Sequence, residues 1–195
     1  MKKLYVLILI VFTTFTVHAQ LSENTDKRID LNNIEVIPVK NGKVTFEETI
    51  PAEGYTAKQV RNIIDTWIKE RFVKPTIISV KQFESNDPQT TILKGEEYIV
   101  FKKTALVLEQ ARIYYYLTLT ANEGSCTFNM SRITYWYDDE DDNGGIKMIA
   151  EEWITDKNAI NKKGKLKKFE GKFRNKTIEL KDFLLNDLTS RFNKK

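Results

Sequence analysis

The chain has 195 residues, of which 30% are charged and 11% aromatic, and its net charge at pH 7 is only +4. This near balance argues against a nucleic-acid-binding protein, which usually carries a strongly basic face. The only histidine is His18 and the only cysteine is Cys126. The sequence therefore excludes a disulfide within the chain and, if residue 18 leaves with a leader, histidine-based catalysis and metal sites.

Residues 1–19 have the pattern of a cleavable export signal. Lys2 and Lys3 precede an apolar run over 4–15, which is shorter than the ~20 residues of a membrane span, and small residues lead up to Ala19. This order of charge, apolar run and small residues is what a signal peptidase recognises. We expect cleavage after Ala19, a periplasmic or extracellular location and, because no cysteine lies near the cleavage site, no lipid anchor.

The rest of the chain suits one domain. Residues 20–33 are polar and aperiodic, which is typical of a flexible lead-in, and 34–195 contain no repeat and no low-complexity linker. We expect a single α+β domain over 34–195 without a transmembrane segment.

The domain begins with a hairpin and a helix. Asn41-Gly42 between two β-like runs is a hairpin signal, and Pro38 confines the first run to a sheet edge. Thr56 and Gln59 form a capping box. The helix that follows has one broad apolar stripe: Val60, Ile63, Ile64, Trp67, Ile68 and Phe72. We expect this stripe to pack on a sheet and the helix to end at Pro75.

Further β-like runs follow at 76–85, 90–95 and 98–109, and then two long runs around Gly124 form a central hairpin. Side chains alternate across a strand. One face is therefore apolar, with Ile113, Tyr115, Leu117, Leu119, Cys126, Phe128 and Met130. The alternation puts Ile133, Tyr135 and Tyr137 on the polar face, with Tyr114 and Tyr116, and puts Arg132 on the core face. A β-bulge near Ser131 would explain this change of phase, and so would a position of Arg132 at the sheet margin.

The C-terminal part predicts two helices separated by a basic loop. The first is a short helix over 146–154, the loop covers 161–176, and the last helix starts at about Thr177. Its apolar face carries Leu180, Phe183, Leu184, Leu188 and Phe192. The element order is thus β-β-α-β-β-β-β-β-α-α, an antiparallel sheet backed by helices.

Several motifs in this order resemble a known family. They are VIPVKNGKVTFEETI before a Trp-bearing helix, the strand end ITYWY, and EEWITDKNAINKKGK before a last helix. Over nearly all of 34–193 the chain resembles a secreted family of unknown function from Gram-negative bacteria, described as TATA-box-binding-protein-like (TBP-like). The resemblance implies a curved antiparallel sheet of about five to seven strands with helices on one face, and a turn near 109–111. It transfers no catalytic or binding residue, and its DNA-binding namesake does not imply DNA binding.

The acidic run after the central hairpin is a candidate metal site. Asp139, Asp141 and Asn143 have the spacing of the front half of an EF-hand loop, and Gly144 stands where such a loop turns. The twelfth position is Ala150 instead of the bidentate Glu. We expect weak calcium binding at best, and the alternative is a solvated acidic loop.

The basic segment is a candidate anion site, with Lys163, Lys165, Lys167 and Lys168 at its centre. It could bind glycans, lipid headgroups or phosphate. The alternative is a solvated loop, which is the commoner role of a charge run.

The third candidate is a tyrosine platform formed by Tyr114, Tyr116, Tyr135 and Tyr137. Tyrosine gives a large contact area at a low cost in entropy, which suits a protein or glycan of the cell envelope. The alternative is that the rings only cover an outward sheet face.

No motif singles out a catalytic pair, so we expect a non-enzymatic binding module without a cofactor. The alternatives are a calcium-stabilised structural domain and a carboxylate-based hydrolase. The sequence leaves the oligomeric state open.

Overall fold

The computed structural model describes residues 36–73, 77–138 and 144–193. The expected signal peptide, the lead-in over 20–33 and Pro75 lie outside the described residues. Within them, the chain forms seven strands and four helices. The strands are β1 (Val39–Lys40), β2 (Lys43–Pro51), β3 (Ile77–Phe83), β4 (Thr90–Lys103), β5 (Leu108–Asn122), β6 (Ser125–Tyr137) and β7 (Ile146–Ile149). The helices are α1 (Ala57–Arg71), α2 (Ala150–Trp153), α3 (Asp156–Ala159) and α4 (Lys168–Phe192).

The strands form one antiparallel sheet in the order β1-β2-β6-β5-β4-β3, and β7 pairs with the last part of β6. The helices pack on one side of this sheet, so the predicted fold class is confirmed. The β1–β2 turn has positive φ at Asn41 (51°) and Gly42 (73°), the conformation that an Asn-Gly hairpin favours. Among the described residues, no helix is both long and apolar enough to span a bilayer.

A bulge in β6 resolves the change of phase in the central hairpin. Tyr116 pairs with Ser131 but Tyr114 pairs with Thr134, so β6 contains one extra residue opposite Tyr115. Arg132 takes a positive φ of 52° at this point. An extra residue moves every later side chain to the opposite face. Ile133 and Tyr135 are therefore buried under the helices, and the prediction that they lie on the polar face is wrong.

The long helices carry the apolar faces that cover the sheet. The capping box of α1 is present, and Trp67 is fully buried, with its indole N–H donating to Asp187 Oδ2 at 3.0 Å. Helix α4 begins at Lys168 and not near Thr177, so the predicted basic loop is shorter than expected. The apolar face predicted for α4 is buried except at Phe183, which is 45% exposed.

Three other sequence predictions need correction. Residues 90–103 form one long strand, where the sequence suggested two. Residues 109–111 lie inside β5, and the turn before them is at 104–107. The expected helix over 146–154 is strand β7 followed by the four-residue helix α2, because residues 146–149 pair with the end of β6.

A buried polar network crosses the core between α1 and the sheet. Arg71 donates to Glu97 Oε2 at 2.8 Å, and the Tyr115 hydroxyl donates to Glu97 Oε1 at 2.6 Å. Burial, and then the charge of Glu97, raise the pKa of Tyr115 well above its usual value. Gly95 is paired with Tyr115, and a Cβ at Gly95 would lie 2.6 Å from the tyrosine ring. The network thus explains why a glycine occupies a central strand.

Candidate binding face

The side of the sheet away from the helices has aromatic rings and cationic side chains on alternate strands. We call this surface, formed by the outward residues of β3 to β7, the open face. Its first row runs straight across four strands, because each member is the cross-strand partner of the next. The row consists of Tyr98, Arg112, Trp136 and Lys147.

Cations and rings are in contact along this first row. The Arg112 guanidinium lies 5.4 Å from the centre of the Trp136 ring and 5.8 Å from that of Tyr98, and Lys147 Nζ lies 4.7 Å from Trp136. The Trp136 indole N–H donates to the Gly144 carbonyl at 2.8 Å, which fixes the ring. Cations over aromatic faces within about 6 Å are attracted by the ring quadrupole. The row therefore holds two positive charges at defined positions.

A second row, on the other side of Tyr114, also combines cations with a ring. Lys81, Lys94 and Tyr116 are successive cross-strand partners. Phe83 stacks on Tyr116 at 5.7 Å between ring centres, and Arg132 lies 5.1 Å from the Tyr116 ring. The bulge that buries Tyr135 therefore also brings Arg132 to the second row.

Tyr114 occupies the strip between the two rows. Lys94 Nζ lies 5.2 Å from its ring, and partial burial, followed by the hydrogen bond to Glu96, raises the pKa of Tyr114. Glu96 also accepts from the Ser79 hydroxyl at 2.8 Å and from Arg112 at 3.4 Å. A depression of about 380 Å³ adjoins Tyr114 and Trp136. Two rows of cations therefore lie on either side of Tyr114. The acid beside Tyr114, Glu96, is already paired with Arg112.

The structure separates the four predicted tyrosines. Tyr114 and Tyr116 lie on the open face. Tyr135 is buried, with its hydroxyl 2.7 Å from that of Thr177, and Tyr137 packs edge to face on Phe169 of α4 at 5.4 Å. The prediction of one four-tyrosine platform is wrong, because the β6 bulge turns the last two rings towards the helices. A binding role for any of these residues stays a prediction.

The structure leaves the other two candidate sites untested. Asp139, Asp141 and Asn143 lie outside the described residues, and within the described part no cluster of three or more His, Cys, Asp or Glu could hold a metal ion. Lys163, Lys165, Lys167 and Lys168 are all exposed, at the N-terminal end of α4 and in the segment before it. Calcium binding through the acidic run and anion binding through these lysines remain predictions.

The open-face partners of the tyrosines are not among the residues predicted from the sequence. Alternation along β5 would have added Arg112, two residues before Tyr114. The position of Trp136 on the open face depends on the bulge in β6. The positions of Lys94 and Lys147 depend on the strand register, which a single sequence does not reveal.

Comparison with known proteins agrees with this architecture. Residues 46–136 match a family described as a domain of unknown function (DUF4468) with TBP-like fold. The crystal structure of a DUF4468 family protein from Bacteroides ovatus ATCC 8483 is 30% identical, with a TM-score of 0.73, over 83% of this chain and 93% of that chain. The chain belongs to the DUF4468 family.

A second solved structure supports the fold alone. A TBP-like protein from Parabacteroides distasonis ATCC 8503 is 22% identical, with a TM-score of 0.67, over 82% of this chain and 99% of that chain. No curated protein matches the chain. Family membership therefore establishes the fold of this DUF4468 protein and leaves its function to be inferred from its surface.

Proposed function

We propose that the protein is an exported, non-enzymatic module that binds an acidic glycan of the cell envelope on its open face. The observation that carries the proposal is the row of Lys147, Trp136, Arg112 and Tyr98, in which rings hold cations at fixed positions across four strands. Fixed cations lose little freedom on binding, which favours association with an anion.

The spacing of the row suits an extended, repeating ligand. Neighbouring strands lie about 4.8 Å apart, so Arg112 and Lys147, which are two strands apart, present charges roughly 10 Å from each other. The second row, with Lys81 and Lys94, lies four residues further along the strands. An acidic polysaccharide offers carboxylates at regular intervals and flat ring faces that can lie on Tyr114 and Trp136.

A glycan fits the composition of this face better than a protein partner does. The centres of protein interfaces are depleted of lysine, whereas both rows of this face contain lysines: Lys147 in the first, and Lys81 and Lys94 in the second. Exposed aromatic faces among cations also bind single-stranded nucleic acid. Export, as the first 19 residues predict, favours an envelope glycan over nucleic acid.

The test is binding of an oligogalacturonate and of its methyl ester, which has the same backbone without the charge. We expect saturable binding of the acid and at least tenfold weaker binding of the ester, a difference of about 1.4 kcal/mol or more. Arg112→Gln should lower the affinity for the acid about tenfold, since a charge-assisted contact is lost. Lys58→Gln makes the same change of charge at an exposed position of α1 and should leave the affinity for the acid unchanged.

Two outcomes would contradict the proposal. Equal affinity for acid and ester would remove the role of the cations, and tighter binding of oligo(dT) than of any acidic glycan tested would assign the face to single-stranded nucleic acid.

A further inference from the structure

The turn between β4 and β5 has an exposed apolar tip. Leu106 is 95% exposed, Val107 46% and Leu108 56%. A single exposed leucine is ordinary, but consecutive large apolar side chains on a projecting turn are typical of an interaction site.

Two backbone N–H groups of this turn are hydrogen-bonded within it. Thr104 N–H donates to the Val107 carbonyl at 2.8 Å, and Val107 N–H donates to Thr104 Oγ1 at 3.0 Å. Moving a polar group out of water costs free energy unless the group is hydrogen-bonded. These two donors therefore keep their hydrogen bonds when the tip moves from water into an apolar medium.

Lysines surround the base of the tip. Lys102 and Lys103 are exposed at the end of β4, and Lys168 at the start of α4 lines the same cavity, of about 800 Å³, as Thr104. The acid in this cavity is Glu109, which is paired with Lys172. The hydrogen bond from Lys172 holds the pKa of Glu109 below its usual value, so the carboxylate stays ionised. The positive charge of Lys172 balances it.

The tip extends beyond the paired end of β6. Tyr137, the last residue of β6, pairs with Ala111, whereas the last pair of the β4–β5 hairpin is Lys103 with Leu108. That pair lies three residues further out, roughly 10 Å at about 3.3 Å per residue. The β4–β5 hairpin therefore projects beyond the last pair of β5 with β6.

We propose that the β4–β5 tip docks this domain on an anionic lipid surface. Leu106 enters the acyl region, and Lys102, Lys103 and Lys168 contact the phosphate headgroups. A soluble anion would bind the lysines without using Leu106, whereas a bilayer offers hydrocarbon and negative charge at adjacent depths. The strands then stand away from the membrane, and the open face remains accessible.

The first test uses a fluorescent label at the tip. Protein that starts at Gln20 contains all the residues that the structure describes and lacks the apolar run over 4–15, which would itself bind lipid. Leu106→Cys is labelled with an environment-sensitive NBD dye. Cys126 is buried, and burial raises its pKa to about 12, so the native thiol stays unlabelled. The matched control is Asn86→Cys, exposed in the turn at the other end of β4.

Vesicles of phosphatidylcholine with 30% phosphatidylglycerol should shift the emission of the Leu106→Cys label to the blue. Vesicles of phosphatidylcholine alone should not do so, and the Asn86→Cys label should not respond to either. A response at neither position, or the same response with and without phosphatidylglycerol, would overturn the proposal.

Unlabelled variants separate the insertion of Leu106 into the bilayer from the attraction of the lysines to the anionic headgroups. In co-flotation with the anionic vesicles, Leu106→Ser should lower partitioning about tenfold through lost apolar burial. Lys102→Gln and Lys103→Gln should each lower it roughly fivefold, since a lysine near an anionic surface contributes a factor of that size. Lys58→Gln should have no effect. Unchanged partitioning of Leu106→Ser would mean that the tip does not insert, and would contradict the proposal even if the lysines mattered. Circular dichroism of each variant confirms that it is folded.

Discussion

The two faces of the central strands use the same residue types in opposite ways. On the helix side, Tyr115 and Tyr135 are buried and their hydroxyls have polar partners in the core. On the open face, Tyr114 and Tyr116 are half-buried and cations lie over their rings. The side of the pleat, and not the residue type, thus decides whether a tyrosine packs in the core or lies on the open face.

Two neighbouring glutamates show the same contrast. Glu97 is 4% exposed and accepts from buried Arg71 and Tyr115. Glu96, on the open face, pairs with Arg112 at 3.4 Å, and its side chain is 17% exposed. Breaking a buried ion pair costs far more than breaking one that water can reach. If the comparison holds, matched substitutions on the two faces should differ strongly in their effect on stability.

The largest difference is expected between two tryptophans. Trp67→Ala opens a cavity in the core and should lower the free energy of unfolding by roughly 3–5 kcal/mol. Trp136→Ala on the open face loses mainly cation–ring contacts and should cost about 1 kcal/mol. Urea denaturation of both variants measures the difference. Similar losses for the two variants would contradict the conclusion that the covered face, and not the open face, stabilises the fold.

The glutamate pair gives the next largest difference. Glu97→Gln leaves the buried Arg71 charge uncompensated and should cost about 3 kcal/mol. Glu96→Gln should cost less than about 1 kcal/mol. The measurement is again the urea midpoint, and a costly Glu96→Gln with a neutral Glu97→Gln would reverse the assignment.

A single methyl group tests how tightly the covered face is packed. Gly95→Ala would place its Cβ 2.6 Å from the Tyr115 ring. Because Glu97 and the core hold this ring, we expect a loss of roughly 1–3 kcal/mol from overpacking. In a Tyr115→Leu background the same substitution should cost less, and an equal cost in both backgrounds would show that the ring is not the obstacle.

Stability is also expected to depend on alkaline pH. Burial raises the pKa of Cys126 from about 9 to about 12, so the folded protein holds the thiol proton more strongly than the unfolded chain does. This contribution is complete below about pH 8.5, the usual thiol pKa, and is lost as the pH rises towards 12. Thermal unfolding from pH 8 to 11 should show a steeper decline for the native chain than for Cys126→Ala. Equal declines would contradict burial of the thiol.

The sequence predicts the covered face well because burial produces a strong alternation. Ile113, Leu117 and Phe128 were assigned to the core from their spacing alone and are fully buried. The alternation fails beyond Arg132, because a bulge depends on local backbone geometry that residue types do not specify. The open-face rows depend on the register of four strands, which a single sequence does not encode locally. The sequence does not predict the start of α4, because residues 168–176 carry four lysines and arginines, a composition that resembles an exposed loop.

The central claim is that the open face, and not the covered face, binds the ligand. The most direct test is a titration with oligogalacturonate, followed through the indole N–H signals of the three tryptophans by nuclear magnetic resonance. We predict a saturable shift of the Trp136 signal, with the signals of buried Trp67 and of Trp153 on α2 unchanged. A Trp136 signal that stays in place throughout the titration, or binding that shifts Trp67 instead, would contradict the account.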